Sequence, residues 1–179
     1  MNLPNKITIF RICMIPIFLV FMLVPTIPGG RNIAAAIFII AALSDLLDGY
    51  IARKHNLVTN FGKFMDPLAD KLLVSSALIC LVELSLLPAW IVIIIIAREF
   101  IISGFRLIAS DNGVVIAASW WGKIKTVVQM VMSIMLIINL DLAFINILEQ
   151  IAVYTAAVLT IISLFDYMIK NKNILKETH

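Results

Sequence analysis

Six apolar runs, at about residues 7–25, 32–52, 66–87, 88–108, 122–140 and 145–169, follow one another with short connections, and that arrangement leaves few folds open. A hydrophobic helix crosses a bilayer in roughly 20 residues. In lipid, a helix also satisfies its own backbone polar groups. With 62% hydrophobic and only 14% charged residues, the chain has too few polar side chains to cover a soluble globule. The expected fold is an all-α integral membrane protein, a six-transmembrane-helix bundle, with its 179 residues forming one domain. Turn residues separate the runs: Pro25, Pro28, Gly29 and Gly30, then Pro88, then Asn139 and Asp141. The first run starts after Lys6 with Arg11 near its beginning, has no small-residue cleavage site, and reads as a retained span, not a signal peptide. Cys13 and Cys80 lie inside apolar runs, where a buried packing role is expected in preference to a disulfide or metal site.

The basic residues are distributed unevenly over the alternate sides. One side receives Lys6, Arg11, Arg53, Lys54, Lys63, Lys71, Arg98, Arg106, Lys123, Lys125, Lys170, Lys172 and Lys176, while the other receives only Arg31. By the positive-inside rule the rich side is cytoplasmic, which places both termini on the cytoplasmic side of the cell membrane. The net charge is +3. Cations at span ends suit anionic membrane lipids, and no nucleic-acid partner is expected. Trp90, Trp120 and Trp121 read as interfacial anchors, with a dimer contact as the alternative.

The segment SDLLDGYIARKHNLVTNFGKFMDPLADK, from Ser44 to Lys71, carries the chemistry. Asp45 and Asp48 are three residues apart and Asp66 and Asp70 four apart, so each pair projects from one helix face across about one turn. Two antiparallel helices can bring the four carboxylates together. An aspartate near the centre of a span costs about 3 kcal/mol on insertion scales, and like charges at this spacing repel further. Four carboxylates carry a charge of about −4, which two divalent cations would neutralise and the single Arg53 cannot. Hard oxygen ligands favour Mg²⁺ or Mn²⁺, and a pair of such ions suits a diphosphate. Gly49, beside Asp48, lets a nucleotide or phosphate approach the backbone. Elsewhere, Asp141 and Glu149 read as solvated helix ends, and Asp166 as a partner of Lys170 one turn on. His55 and His179 are polar loop and tail residues, giving no His-based metal site.

The spacing Asp45, Asp48-Gly49, Ala52-Arg53, Gly62, Asp66, Asp70 resembles, without a departure, the signature of the CDP-alcohol phosphotransferase family. The resemblance implies a six-helix membrane bundle, usually dimeric, with a polar cavity open to the cytoplasmic side. It assigns Asp45, Asp48, Asp66 and Asp70 to metal binding, with Asp70 also the candidate general base. Gly49 and Arg53 would contact the CDP part of the donor, and Gly62 would line the nucleotide pocket.

The acceptor is a separate question. Lys63, Arg98, Arg106, Lys123 and Lys125 fall near the cytoplasmic ends of the second to fifth spans. Positive-inside anchoring explains part of such a group. Arg98, however, lies deep in an apolar run beside Glu99, where a charge needs a partner or a cavity. Cations around a metal and diphosphate site suit an acceptor that carries its own phosphate. The strings NKITIFR, FGKFMDPLADK, REFIISGFR and GKIKTVVQ also resemble the branch of the family that uses glycerol 3-phosphate with CDP-diacylglycerol. That resemblance assigns Thr8 to the nucleotide pocket and the five cations to the acceptor phosphate. A sister enzyme would instead take serine, an inositol phosphate or a second phospholipid. A divalent-cation transporter is the competing class, since intramembrane acids mark ion pathways. A transporter would spread its charges along a route through the bilayer, whereas here they gather at one face. A noncatalytic scaffold would leave the four aspartates without a compensating role.

Overall fold

Among the described residues, six helices form where the apolar runs lie: α1 (Leu3–Leu23), α2 (Gly30–Lys54), α3 (Asn60–Glu83), α4 (Ala89–Asp111), α5 (Trp120–Ile138) and α6 (Ala143–Lys170). The computed structural model describes residues 2–54, 60–111, 116–117 and 119–172, without the side chains of 3–4, 45–54, 60–61, 63–64 and 111. Among the described residues all regular structure is helical. Three helices among the described residues are long and apolar enough to cross a membrane, at Asn5–Leu23, Trp120–Ile138 and Ala143–Lys170. α2 is apolar over the shorter stretch Gly30–Ser44, ahead of its acidic half. α3 carries Asp66, Asp70 and Lys71, and α4 carries Arg98, Glu99 and Arg106, so charged residues interrupt their apolar runs. Large apolar side chains point outward on most helices, among them Phe10, Ile79, Ile93, Leu107, Val127 and Phe165. Helices apolar on both faces suit lipid, and the chain is a membrane protein.

The helices divide into two units. One holds α1, α2 and α3 with Leu136–Asn139, and the other holds α4, α6 and the remainder of α5. In the first, α1 packs along both α2 and α3. The Asn2 side chain accepts from the Asn5 backbone N–H at 3.3 Å, and Pro4 occupies the first turn, so the helix starts at a capped and preorganised end. Its buried positions, Asn5, Thr8, Arg11, Ile15, Phe18 and Met22, recur every three or four residues and change from polar to apolar along the helix. Phe18 meets Phe38 of α2 with ring centroids 6.1 Å apart. Cys13 corrects the expectation of burial: it is exposed, on the outward stripe with Phe10, Ile17 and Val20, whereas Cys80 is buried. The turn into α2 needs glycine, because Gly29 has φ 69° and a Cβ on Gly30 would lie 2.7 Å from the Phe21 carbonyl oxygen. α3 ends with Ser85 at φ 58°, its N–H donating to Val82 O and that of Leu86 to Leu81 O, both at 2.9 Å. This left-handed cap satisfies the last carbonyls before Pro88.

In the second unit α4 packs against α6. The buried stripe of α6 is Glu149, Val153, Ala156, Ala157, Thr160, Ser163 and Tyr167. Glu149 is therefore not a solvated helix end. It lies on the helix's inward stripe, and its Oε1 has no hydrogen-bond partner among the described residues. Asp141 is exposed, as expected of a helix end. Lys170 pairs with Asp166 at 2.6 Å, the one-turn partnership anticipated from their spacing. Trp90, Trp120 and Trp121 are all exposed.

Candidate active site

Helical periodicity decides which charged residues are turned inward. On α3, Asp66 stands one turn before Ala69 and one turn after Gly62, both buried, and Asp70 follows one turn later. Asp66 and Asp70 are half-buried. The fully buried Thr8 hydroxyl donates to Asp66 Oδ1 at 2.5 Å, joining α1 to α3 across 58 positions of sequence. A hydroxyl donated to an ionised carboxylate both strengthens the contact and fixes the orientation of the acid. Thr8 therefore touches one of the expected metal ligands directly. One turn along α1, the fully buried Arg11 donates through Nε to Ser44 Oγ of α2 at 3.4 Å, and Ser44 Oγ donates to Ala41 O at 2.7 Å. Arg11 is thus a packed residue of the helix junction.

Asp45 follows Ser44 directly on α2, with Asp48, Gly49 and Arg53 one turn and more beyond it; the side chains of all four are outside the described residues, as is that of Lys63 on α3. Among the described residues no three His, Cys, Asp or Glu side chains form a cluster for a metal ion. The described half of the expected set is Asp66 and Asp70. Their chemistry fits a hard divalent cation: carboxylate oxygens one turn apart, one of them oriented by a hydroxyl.

The basic residues of the second unit fall into two groups. Arg98 lies on the α4 stripe with Ile91, Ile95 and Ile102, and is 7% exposed; Lys125 lies on the α5 stripe with Gln129 and Met132, and is 1% exposed. Both converge on Glu99. Arg98 Nη1 donates to Glu99 Oε1 at 3.0 Å, and Lys125 Nζ pairs with the same oxygen. Arg98 Nε donates to Ser163 Oγ of α6 at 3.0 Å, and Ser163 Oγ in turn donates to Thr160 O at 3.0 Å. Glu99 is itself only half-buried, but removing it would leave two buried cations without their shared carboxylate, which is destabilising. Arg106 and Lys123, by contrast, are exposed. The Arg106 guanidinium lies 5.9 Å from the Tyr167 ring centroid, and Lys123 Nζ lies 6.0 Å from that of Trp120. Tyr167 is itself buried edge-on against Phe105, with centroids 6.4 Å apart. Sequence reasoning noted Glu99 only as a neighbour of Arg98 and did not single out Ser163 or Tyr167. Polar residues within apolar spans were their available signal.

Comparison with known proteins is consistent over nearly the whole chain. Residues 1–162 match the CDP-alcohol phosphatidyltransferase family. The chain is 48% identical to the CDP-diacylglycerol–glycerol-3-phosphate 3-phosphatidyltransferase of Bacillus subtilis, with 99% of each chain covered. It is 42% identical to the Haemophilus influenzae protein of the same name, over 93% of this chain and 91% of the relative. A probable phosphatidylglycerophosphate synthase of Mycobacterium tuberculosis is 38% identical over 93% of this chain and 80% of its own length.

Proposed function

The chain belongs to the CDP-alcohol phosphatidyltransferase family, and from that premise we propose that it transfers a phosphatidyl group from CDP-diacylglycerol to glycerol 3-phosphate. The products are phosphatidylglycerophosphate and CMP, and the reaction is a step of phospholipid biosynthesis. The observation that carries this reading is the full-length match to relatives named for that reaction.

A divalent metal, Mg²⁺ or Mn²⁺ and as a pair of ions, supplies positive charge at the donor diphosphate when held by Asp45, Asp48, Asp66 and Asp70. Thr8 orients Asp66. Gly49, Gly62 and Arg53 receive the CDP part of the donor, Gly49 by close backbone approach and Arg53 by donating to diphosphate oxygens. Asp70 takes the proton of the acceptor hydroxyl, whose oxygen bonds to the lipid-side phosphorus as the bond to the departing CMP breaks. Lys63, Arg98, Arg106, Lys123 and Lys125 meet the phosphate of glycerol 3-phosphate. The family resemblance and the six helices support a six-span bundle, working as a homodimer in the cell membrane, with a polar cavity and both termini on the cytoplasmic side.

Purified protein given CDP-diacylglycerol and a panel of acceptors tests the reading through CMP release. Glycerol 3-phosphate should outpace glycerol, serine and inositol phosphate; a faster rate with any of these would leave the family and overturn the acceptor. A cysteine placed at 141–142, in the connection ahead of α6, should label from outside intact cells, and one placed after Lys172 only after permeabilisation. Reversed accessibility would overturn the orientation.

A further inference from the structure

We propose that Glu99 is a positioning residue for the acceptor: it holds Arg98 and Lys125 together on one carboxylate oxygen, so that both cations are arranged before glycerol 3-phosphate arrives. The proposal rests on the reading that Arg98 and Lys125 meet the acceptor phosphate. Its own observation is the convergence of three helices on these groups. Arg98 is held at two points of its guanidinium, by Glu99 Oε1 at Nη1 and by Ser163 Oγ at Nε. Its remaining nitrogen, Nη2, faces α5 where Gly122 has no side chain, and a Cβ there would lie 3.0 Å from it. One turn further along α5, Lys125 reaches the same Glu99 oxygen and is almost completely buried.

Long basic side chains lose much rotamer freedom when they bind an anion. A carboxylate that already fixes two of them reduces that loss, and the bare Gly122 backbone leaves the third guanidinium nitrogen undisplaced. Glu99 carries the same charge sign as the acceptor phosphate, so its effect on binding has two opposed contributions, repulsion and preorganisation. With both cations shielded from water and sharing one oxygen, preorganisation is the larger.

Steady-state kinetics of the purified full chain test this. Glu99→Gln is expected to raise the KM for glycerol 3-phosphate by about tenfold, the scale of one charge-assisted hydrogen bond, with the KM for CDP-diacylglycerol little changed. Gly122→Ala should raise the same acceptor KM by a smaller factor, since the guanidinium need shift only a few tenths of an ångström. Lys125→Met should also raise it, and in the Glu99→Gln, Lys125→Met double variant the two factors should not multiply, because the acid acts through the cation. A lowered acceptor KM in Glu99→Gln, equal rises for both substrates, or multiplying factors would each overturn the positioning role. If Lys125→Met raises the acceptor KM and Glu99→Gln leaves it unchanged, only the role of Glu99 falls. If Lys125→Met also leaves it unchanged, the acceptor assignment falls with it. Should Glu99→Gln fail to fold, Glu99→Asp, which keeps the charge and shortens its reach to both cations, decides the matter, and an unchanged acceptor KM in that variant overturns the proposal.

Discussion

The two units place charge inside apolar helices in opposite ways. In the first, Asp66 and Asp70 lie one turn apart on α3, and the described contact to Asp66 comes from a neutral hydroxyl, that of Thr8. In the second, two buried cations share one oxygen of Glu99. A hydroxyl orients a carboxylate without cancelling its charge, which leaves the acid suited to an incoming cation. A carboxylate that gathers two cations leaves the group with more positive than negative charge, which suits an incoming anion. On the proposed reading, the acidic pair would take a divalent metal and the cation pair the acceptor phosphate.

The largest expected effect belongs to the acidic region. Asp48→Asn keeps side-chain size and removes one ligand charge, and should lower kcat by about a hundredfold to a thousandfold or more, as loss of a key electrostatic group does. Activity should also disappear with a chelator and return with Mg²⁺ or Mn²⁺. Near-normal turnover of the variant at saturating Mg²⁺, or persistence after rigorous chelation, would remove metal from the account of the first unit.

A smaller effect of the same kind is expected at Thr8. Thr8→Val preserves shape and removes the hydroxyl that Asp66 accepts from, so the Mg²⁺ concentration for half-maximal activity should rise by about tenfold. An unchanged metal requirement would make Thr8 a packing residue only.

The exposed cations of the second unit sharpen the other half of the comparison. Arg106→Ala should raise the KM for glycerol 3-phosphate by about tenfold, and much more than the KM for CDP-diacylglycerol, since a charge-assisted phosphate contact is worth about 1.5–3 kcal/mol. Lys123→Ala should give the smallest change of the series, because lysine offers a point charge without the planar fork of arginine. Unaltered acceptor kinetics in both would confine acceptor binding to the buried group.

Much of this organisation was legible in the sequence, for identifiable reasons. Six apolar runs gave the order of six helices, since a backbone in lipid has little alternative to the helix. Their edges moved where polar residues continue a helix: α3 begins at Asn60 and not near 66, because the segment from Asn60 to Met65 is helical although its polarity hides it from an apolar count. The aspartates were legible because their spacing is local to α2 and α3. The partnership of Thr8 with Asp66 and the convergence of Arg98 and Lys125 on Glu99 were not, since each joins separate helices through tertiary packing. Cys13 and Glu149 exchanged their expected surroundings for the same reason. An apolar run has an outward face in lipid, and a charged residue within a helix can lie on its inward stripe.

The account is tested most directly by following the acceptor's own phosphate. Purified protein with CDP-diacylglycerol, Mg²⁺ and glycerol 3-phosphate labelled at its phosphorus should move the label into an organic-soluble lipid, phosphatidylglycerophosphate, with one CMP released for each lipid formed. Label remaining in the aqueous phase while CMP accumulates, or lipid product formed from serine in preference to glycerol 3-phosphate, would contradict it.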